Sequence, residues 1–400
     1  MTSEDFPPPL PGPCSHTGLR AVLAAFLNLA LVLFIANAVV SLTSNSLIFF
    51  LKNDVLVDVA ALSGAVSTLT AFVIYGLMAM TPMVPKRVFL PLTLFGPVAV
   101  LVALPVMIYG FRYGSWITWG IALAQFLLCM AILLRLRRPW KSCWLLLTAD
   151  QLATVAFRWR NLIGFVAAHV FVVVPGVMVY LLICGSLAVN HFTDGFVSLR
   201  PSGVTMQVRK YSREDGKTVD LVAMSHIGEP EFYQALAATF PPTATVLMEG
   251  VSDKGKVMTE PVGYTKIAKY LGLAEQHAVF KPQGKLISAD VDIGQFSKVT
   301  LECLKPTMVI HTKGITAETL PILMQPSSED LPQQLFNDLL TRRNEHLLMV
   351  LQEQLLTTDH LIIPWGAAHM PGISQGVLKA GFHLRETQES VVIRFGGAAR

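Results

Sequence analysis

Charged side chains are scarce in this chain and are unevenly distributed along it. Asp, Glu, Lys and Arg make up 14% of the residues, whereas a soluble globular protein has about 25%. None of these residue types occurs in five windows of the first half, which are 21–51, 59–85, 88–111, 113–134 and 161–193. About 20 apolar residues cross the hydrocarbon core of a bilayer. Each window therefore predicts a membrane span, and their number excludes buried core helices as the explanation.

The basic residues indicate how the predicted spans are oriented. Alternate gaps between the windows carry most of them, namely Arg20, Lys86, Arg87, Arg135, Arg137, Arg138, Lys141, Arg158 and Arg160. The opposite gaps hold only Lys52 and Arg112 near the spans. Because Lys and Arg accumulate on the cytoplasmic side, we expect a cytoplasmic N-terminus. The region after the fifth span is then periplasmic or extracellular.

Composition divides the chain into three predicted parts. Residues 1–19 read as a disordered, Pro-rich cytoplasmic tail, 20–193 as a five-helix transmembrane domain and 194–400 as an extracytoplasmic soluble domain. The apolar stretch 143–156 is too short to span, and we expect an amphipathic helix there, on the cytoplasmic face next to membrane lipid. The predicted fold class is a multi-pass α-helical membrane bundle of five spans, followed by an α/β (α+β) domain with a mixed sheet.

The predicted spans contain few ionisable residues, and the predicted outer domain contains few cysteines. His169 lies in the fifth window without an acidic residue in any window. An interhelical hydrogen bond is therefore favoured over a proton path. The absence of paired intramembrane charges and of an internal repeat counts against a channel or transporter with a sensory outer domain. Cys303 is alone in 194–400, so no disulfide framework is predicted.

The outer domain alternates predicted strands with helices, and polar residues follow the strand ends. Strands are predicted at 204–211, 218–224, 244–248, 285–289 and 360–365. A helix between apolar strands is typical of a βαβ unit with parallel strands. Open α/β sheets form their sites at the carboxyl ends of such strands. The residues that follow the strands, and that we expect at one edge, are His226, Glu249, Asp290, Asp292 and His369.

Two imidazoles and one or more carboxylates at one sheet edge suggest a site for a divalent metal. Without a thiolate ligand, Zn²⁺, Mn²⁺, Co²⁺ or Fe²⁺ fit such a site, and the ion would support hydrolysis. The alternative is that these are ordinary rim residues, with Asp290 capping the segment that follows it. No HExxH motif is present to place two ligands on one helix face.

Arg343 and Asn344 open a predicted helix, HLLMVLQEQLL, with leucines on one face. Cations are mildly unfavourable at a helix N-terminus. Their position therefore suggests that they orient a carboxylate or a substrate carbonyl. The alternative is that they are solvent-exposed residues of the first turn.

These motifs, in this order, resemble the TraB/PrgY/GumN/Tiki family over about residues 219–382. They are AMSHIGE, VLMEG, SADVD, RRNEHLL and GAAHMPGI; Ala223 stands where the family pattern GxxH has glycine. The resemblance implies a metalloprotease dependent on Mn²⁺ or Co²⁺, as in Tiki-like members, with His226, His369 and Glu249 required. Arg343 and Asn344 match the family's polar pair. PrgY-like members instead limit the activity of a secreted peptide.

The predicted function is a membrane-tethered, metal-dependent peptidase or hydrolase acting outside the cytoplasm on a peptide or related acyl substrate. The metal (Mn, Co or Zn) is held by His226, His369 and Glu249, with Asp290 or Asp292 as further ligands. Glu249 is a ligand or a general base. The alternative is a non-catalytic membrane-surface module that sequesters a secreted peptide or small ligand. Five spans where one would anchor suggest a membrane protein partner, and no nucleic acid partner is predicted.

Overall fold

The computed structural model describes residues 17–136, 146–257, 264–304 and 331–396. It separates the chain into two compact units, residues 1–185 and 186–400. The predicted boundary lay between 193 and 194. The end of the last long helix belongs to the second unit because Val189 packs against the core of that unit. Most of the predicted tail, residues 1–16, lies outside the described residues. Its last residues, 17–19, are not disordered, since the first helix begins at Thr17.

The first unit consists of long apolar helices. Their bounds are α1 Thr17–Ser46, α2 Val57–Met80, α3 Lys86–Gly110, α4 Gly114–Leu136, α5 Trp159–Ala168 and α6 Val174–Phe192. The π turn Leu47–Leu51 extends α1, and the π turn His169–Val173 joins α5 to α6. The predicted five windows are confirmed as five helical segments long and apolar enough to cross a membrane.

His169 makes a polar contact between helices of this unit. Tyr75 Oη of α2 lies 2.6 Å from His169 Nε2, and His169 Nδ1 lies 2.7 Å from the Phe165 carbonyl oxygen. The carbonyl requires a proton on Nδ1, so Nε2 accepts from the tyrosine hydroxyl. The interhelical hydrogen bond predicted for His169 is confirmed.

The amphipathic helix predicted at 143–156 is wrong for the described part of that segment. Residues 146–156 contain only the 3₁₀ turn Ala149–Gln151. The side chain of Asn28 donates to the Leu147 carbonyl at 2.8 Å and accepts from the Leu147 amide at 3.0 Å. Leu147 and Leu152 are buried in the helix cluster. These contacts hold the segment against α1 as a folded loop, with its apolar side chains packed on protein.

The second unit is built on a mixed sheet, as predicted. The strands are β1 Val197–Arg200, β2 Gly203–Ser212, β3 Thr218–Met224, β4 Ile227–Gly228, β5 Thr245–Met248, β6 Ala274–Glu275, β7 Lys285–Ser288, β8 His360–Gly366 and β9 His383–Arg394. The main sheet has the order β1-β2-β3-β8-β5-β7, with β9 also paired to β2; β4 and β6 form a separate pair. Strands β3, β8, β5 and β7 are parallel neighbours, and β2 pairs antiparallel with β1, β3 and β9.

Helices cover both faces of the parallel part of this sheet. The helices of this unit include α7 Pro230–Ala238, α8 Thr265–Tyr270, α9 Gln276–Val279, α10 Leu331–Phe336, α11 Arg342–Gln354 and α12 Met370–Lys379. Leu347 and Leu351 of α11 and Ile373 of α12 pack on one face. Tyr233 and Ala237 of α7 pack on the other. Burial on both faces explains the continuous apolar runs of the central strands.

Candidate functional site

Three of the predicted site residues meet at the carboxyl ends of adjacent parallel strands. Glu249 follows β5, Asp290 follows β7, and His369 follows β8 after a short turn. His369 Nε2 lies 3.6 Å from Glu249 Oε1. Arg343 reaches Glu249 and Asp290 from the first turn of α11. The order of the strands therefore brings together residues that are up to 120 positions apart in the sequence (249 and 369).

Arg343 lies between the two carboxylates. Its Nη2 atom donates to Glu249 Oε1 at 2.7 Å and to Asp290 Oδ2 at 2.6 Å, and its Nε atom donates to Asp290 Oδ1 at 2.9 Å. The Asp290 side chain has no exposed surface, and those of Arg343 and Glu249 are 12% and 13% exposed. Two buried carboxylates share one guanidinium, so one negative charge of this group is unmatched.

Glu249 is fixed through its second oxygen as well. The backbone amide of Gly366 donates to Glu249 Oε2 at 2.6 Å. A Cβ atom at position 366 would lie 3.3 Å from this oxygen and 3.7 Å from the His369 ring. Glycine at the start of the GAAH motif therefore gives the carboxylate room to lie against the backbone.

Asn344 sets the tautomer of His369. Asn344 Oδ1 lies 2.7 Å from His369 Nδ1, and Asn344 Nδ2 donates to the His369 carbonyl at 3.4 Å. The amide nitrogen faces a carbonyl, so its oxygen must be the group that faces the ring. The Nδ1 atom of His369 consequently carries the proton, and Nε2 has a free lone pair when the ring is neutral. Histidines that ligate metals are commonly oriented in this way.

The His369 lone pair is directed toward a carboxylate oxygen. Burial, together with the positive charge of Arg343, lowers the pKa of His369 to about 4. At neutral pH the ring is therefore uncharged, and two acceptors, Nε2 and Glu249 Oε1, face each other at 3.6 Å. Such a pair is repulsive unless a proton or a metal ion lies between the two atoms. The spacing also suits two ligands of one ion, each about 2.0–2.2 Å from it.

His226 does not complete this group. Its ring is stacked on Tyr264, with centroids 5.0 Å apart and planes 7° from parallel. The side chain is exposed, and its backbone carbonyl accepts from the Gln276 amide. Desolvation lowers the pKa of His226, and nearby Glu249 opposes that shift, so the two side chains lie within electrostatic reach. Across the described ranges, no three His, Cys, Asp or Glu side chains are arranged to hold a metal ion.

Asp292, predicted as a further metal ligand, makes its hydrogen bonds with the neighbouring loops. Its Oδ2 atom accepts from Ser252 Oγ at 2.8 Å and from the Lys254 amide at 3.0 Å, and its Oδ1 atom accepts from the Gly294 amide at 2.9 Å. These bonds lower the pKa of Asp292, with the Lys254 amide making the largest contribution. The carboxylate thus ties the loop after β5 to the loop after β7.

A π turn precedes the Arg343 helix and separates the roles of two adjacent arginines. The turn spans Asn337–Thr341. Buried Asp338 accepts from the Ser297 amide at 2.8 Å and pairs with Arg342 at 3.6 Å. Arg342 also donates to the Gln295 carbonyl. Arg342 thus secures the helix start, while Arg343 points toward the strand ends.

Trp365 was not among the predicted site residues, although it forms a wall of the site. It is fully buried at the end of β8, and its Nε1 donates to the Leu247 carbonyl at 3.0 Å. The His369 ring meets it edge-on with centroids 5.2 Å apart, and the Arg343 guanidinium carbon lies 5.5 Å from its ring centroid. The sequence signal that could have indicated Trp365 was its place directly before the GAAH motif, in PWGAAH.

Gly372 keeps Asn344 in place, and this leads to a first testable prediction. A Cβ atom at position 372 would lie 2.5 Å from Asn344 Nδ2. We expect Gly372→Ala to push the Asn344 side chain away from His369. The hydrogen bond from His369 Nδ1 to Asn344 Oδ1, which fixes the tautomer, would then be lost. The measurement is the long-range ¹H–¹⁵N spectrum of the imidazoles, in which the His369 tautomer should become mixed.

Gly376→Ala is the matched control for this prediction. It lies one turn further along α12, where a Cβ atom would clash with Leu348 at 2.4 Å instead of with Asn344. Both variants crowd the contact between α11 and α12, and both should lower the melting temperature. If both also change the His369 signals equally, the effect is general and Gly372 has no specific role.

Comparison with known proteins adds no relative. No protein-family model matches the chain, and no curated protein or solved structure is significantly similar to it. The resemblance to the TraB/PrgY/GumN/Tiki family therefore stays a prediction.

Proposed function

We propose that this protein is an integral membrane hydrolase whose C-terminal unit acts on a peptide or related acyl substrate outside the cytoplasm. The observation that carries the proposal is the contact between His369 Nε2 and Glu249 Oε1. A neutral imidazole and a carboxylate face each other in a buried group with one unmatched negative charge. That combination favours a bound cation at the carboxyl ends of the strands, where α/β proteins form their sites.

Two of the residues present offer ligands for a divalent metal. His369 and Glu249 supply a nitrogen and an oxygen ligand, and His226 becomes a third if its ring leaves the stack on Tyr264. Imidazole with carboxylate suits Mn²⁺, Co²⁺ or Zn²⁺. When bound, such an ion supplies a Lewis acid that polarises a substrate carbonyl.

The chain's own side chains have separate tasks in this proposal. Asn344 holds the His369 ring in the tautomer that leaves Nε2 free. The Gly366 amide and Arg343 hold both oxygens of Glu249, which fixes that carboxylate as a ligand or as a general base. Buried Trp365 excludes water from one side of the group.

Hydrolysis and metal content test this proposal together. Full-length protein in detergent micelles should contain or take up Mn²⁺, Co²⁺ or Zn²⁺ and should cleave members of a peptide library. We expect His369→Ala to lose both properties, and Asp215→Asn, in the exposed turn after β2, to keep both. A wild-type protein without any metal uptake would contradict the metal-dependent reaction.

The lipid and compartment assignments follow from the first unit. Five helical segments with many exposed apolar side chains are compatible with contact to membrane lipid. The basic residues favour a cytoplasmic N-terminus and an external C-terminal unit.

In a background with the native cysteines replaced, a membrane-impermeant thiol reagent should label Tyr270→Cys on intact cells and should not label Arg160→Cys. The reverse labelling pattern would invert the topology.

Two observations favour the second candidate, a non-catalytic module that binds a secreted peptide or small ligand. Arg343 already satisfies Asp290 and one oxygen of Glu249, and the described residues contain no three-ligand group. Binding of a library peptide by the full-length protein, without turnover and without metal uptake, would favour this candidate.

A further inference from the structure

Arg343 makes more hydrogen bonds to Asp290 than to Glu249. It contacts Asp290 through two nitrogens, Nε at 2.9 Å and Nη2 at 2.6 Å, and Glu249 through Nη2 alone at 2.7 Å. Two parallel donors make the Asp290 pair the stronger one. The guanidinium is therefore able to release Glu249 and remain paired with Asp290.

The oxygen that Arg343 contacts is also the one that faces His369. Glu249 Oε1 accepts from Arg343 Nη2 at 2.7 Å and lies 3.6 Å from His369 Nε2. The other oxygen, Oε2, is held by the Gly366 amide. An ion that binds between the imidazole and the carboxylate must consequently share or displace the hydrogen bond of Arg343.

We propose that Arg343 is a built-in counter-cation that competes with an incoming metal ion for Glu249 Oε1 and thereby limits the metal affinity of the site. The inference rests on the cation site of the proposed function. Without a metal ion, Arg343 offsets part of the charge of Glu249 and Asp290. When a divalent ion enters, the guanidinium is a like charge at close range, and repulsion is strong where solvent is largely excluded.

The test is a Mn²⁺ titration of full-length protein in detergent micelles, with free Mn²⁺ followed by electron paramagnetic resonance. Arg343→Gln is expected to lower the Kd for Mn²⁺ by about tenfold or more, because the repulsion is removed. Asp290→Asn is expected to raise the Kd, since Arg343 then pairs with Glu249 alone. The matched control is Arg213→Gln, which breaks the ion pair with Asp215 in an exposed turn and should leave the Kd unchanged.

The double variant Arg343→Gln/Asp290→Asn separates competition from direct ligation by Asp290. If Arg343 competes, the double variant binds Mn²⁺ more tightly than Asp290→Asn does. If Asp290 is instead an essential ligand, the two bind equally weakly, and the proposal is overturned. Circular dichroism checks folding. If Arg343→Gln does not fold, the comparison of the double variant with Asp290→Asn serves as the test instead, because the double variant removes both halves of the Arg343–Asp290 ion pair.

The outcomes distinguish this inference from the proposed function. Mn²⁺ binding by the wild type that is no tighter in Arg343→Gln overturns the role of Arg343 and leaves the hydrolase proposal intact. Binding only in Arg343→Gln supports the role of Arg343 and contradicts a metal-dependent wild-type enzyme. The absence of binding in both proteins overturns both proposals.

Discussion

Glu249→Gln is expected to reduce peptide hydrolysis by about a thousandfold or more, the range associated with loss of a positioned acid–base group. Glu249 pairs with Arg343, and its Oε1 atom also lies 3.6 Å from His369 Nε2. The glutamine keeps the size of the side chain and removes its charge. Without that charge, the lone pair of His369 Nε2 faces a neutral amide, and neither a cation nor a base is available at this point.

The same variant should also be less stable, for a reason that is independent of catalysis. Glu249 Oε1 accepts from Arg343, and Oε2 accepts from the Gly366 amide. Whichever way a glutamine amide is turned, its NH₂ group faces one of these donors. An unsatisfied buried polar group costs about 1–3 kcal/mol, so the melting temperature should fall.

Hydrolysis assays and thermal unfolding of the full-length protein check both effects. Glu386→Gln is the control, since Glu386 lies on exposed β9 and contacts Lys210 at 3.1 Å; it should change neither quantity appreciably. Retention of more than a tenth of the wild-type rate by Glu249→Gln would remove Glu249 from the reaction. A loss of stability alone would restrict it to a structural role.

The meeting of Glu249, Asp290 and His369 was predictable because it depends on chain topology. Each residue follows a short apolar strand, and parallel strands separated by helices present their carboxyl ends at one edge. Ala223 does not disturb this arrangement. Its methyl group is buried in the sheet core beside Leu221 and Trp365.

The position of Arg343 between the carboxylates was not predictable from the same pattern. Its place depends on how α11 docks through Leu347 and Leu351 and on the π turn Asn337–Thr341. Both are long-range or irregular features without a periodic signal. The sequence suggested that Arg343 orients a carboxylate or a substrate carbonyl, but it could not identify Glu249 and Asp290 as the two carboxylates that Arg343 contacts.

The difference between Asp290 and Asp292 also lay beyond the sequence. The two carboxylates are two residues apart, and both follow β7. Asp290 turns to Arg343, whereas Asp292 is occupied by Ser252 and Lys254 of the loop after β5. Which of two nearby acidic residues enters a site depends on the conformation of a neighbouring loop.

Trp365→Ala is expected to destabilise the C-terminal unit by about 3–5 kcal/mol, the cost of truncating a large buried aromatic side chain. Trp365 has no exposed surface and packs in the main core with Leu221 and Leu247. Its removal leaves a cavity and also leaves the Leu247 carbonyl without the indole donor. Unfolding followed by far-ultraviolet circular dichroism measures the change without relying on tryptophan emission.

Two further variants separate the contributions of Trp365. Trp365→Phe keeps most of the volume and loses the hydrogen bond to Leu247, so it should cost less, about 1–3 kcal/mol. Tyr270→Ala removes an aromatic ring that is 90% exposed and should change stability by no more than about 0.5 kcal/mol.

Because the Trp365 ring contacts both His369 and Arg343, Trp365→Ala should also weaken metal uptake, whereas Tyr270→Ala should not. If Trp365→Ala were as stable as Tyr270→Ala, the packing of β8 against β5 would not be the main support of the site. The ion pairs of Arg343 would then have to hold the strand ends together.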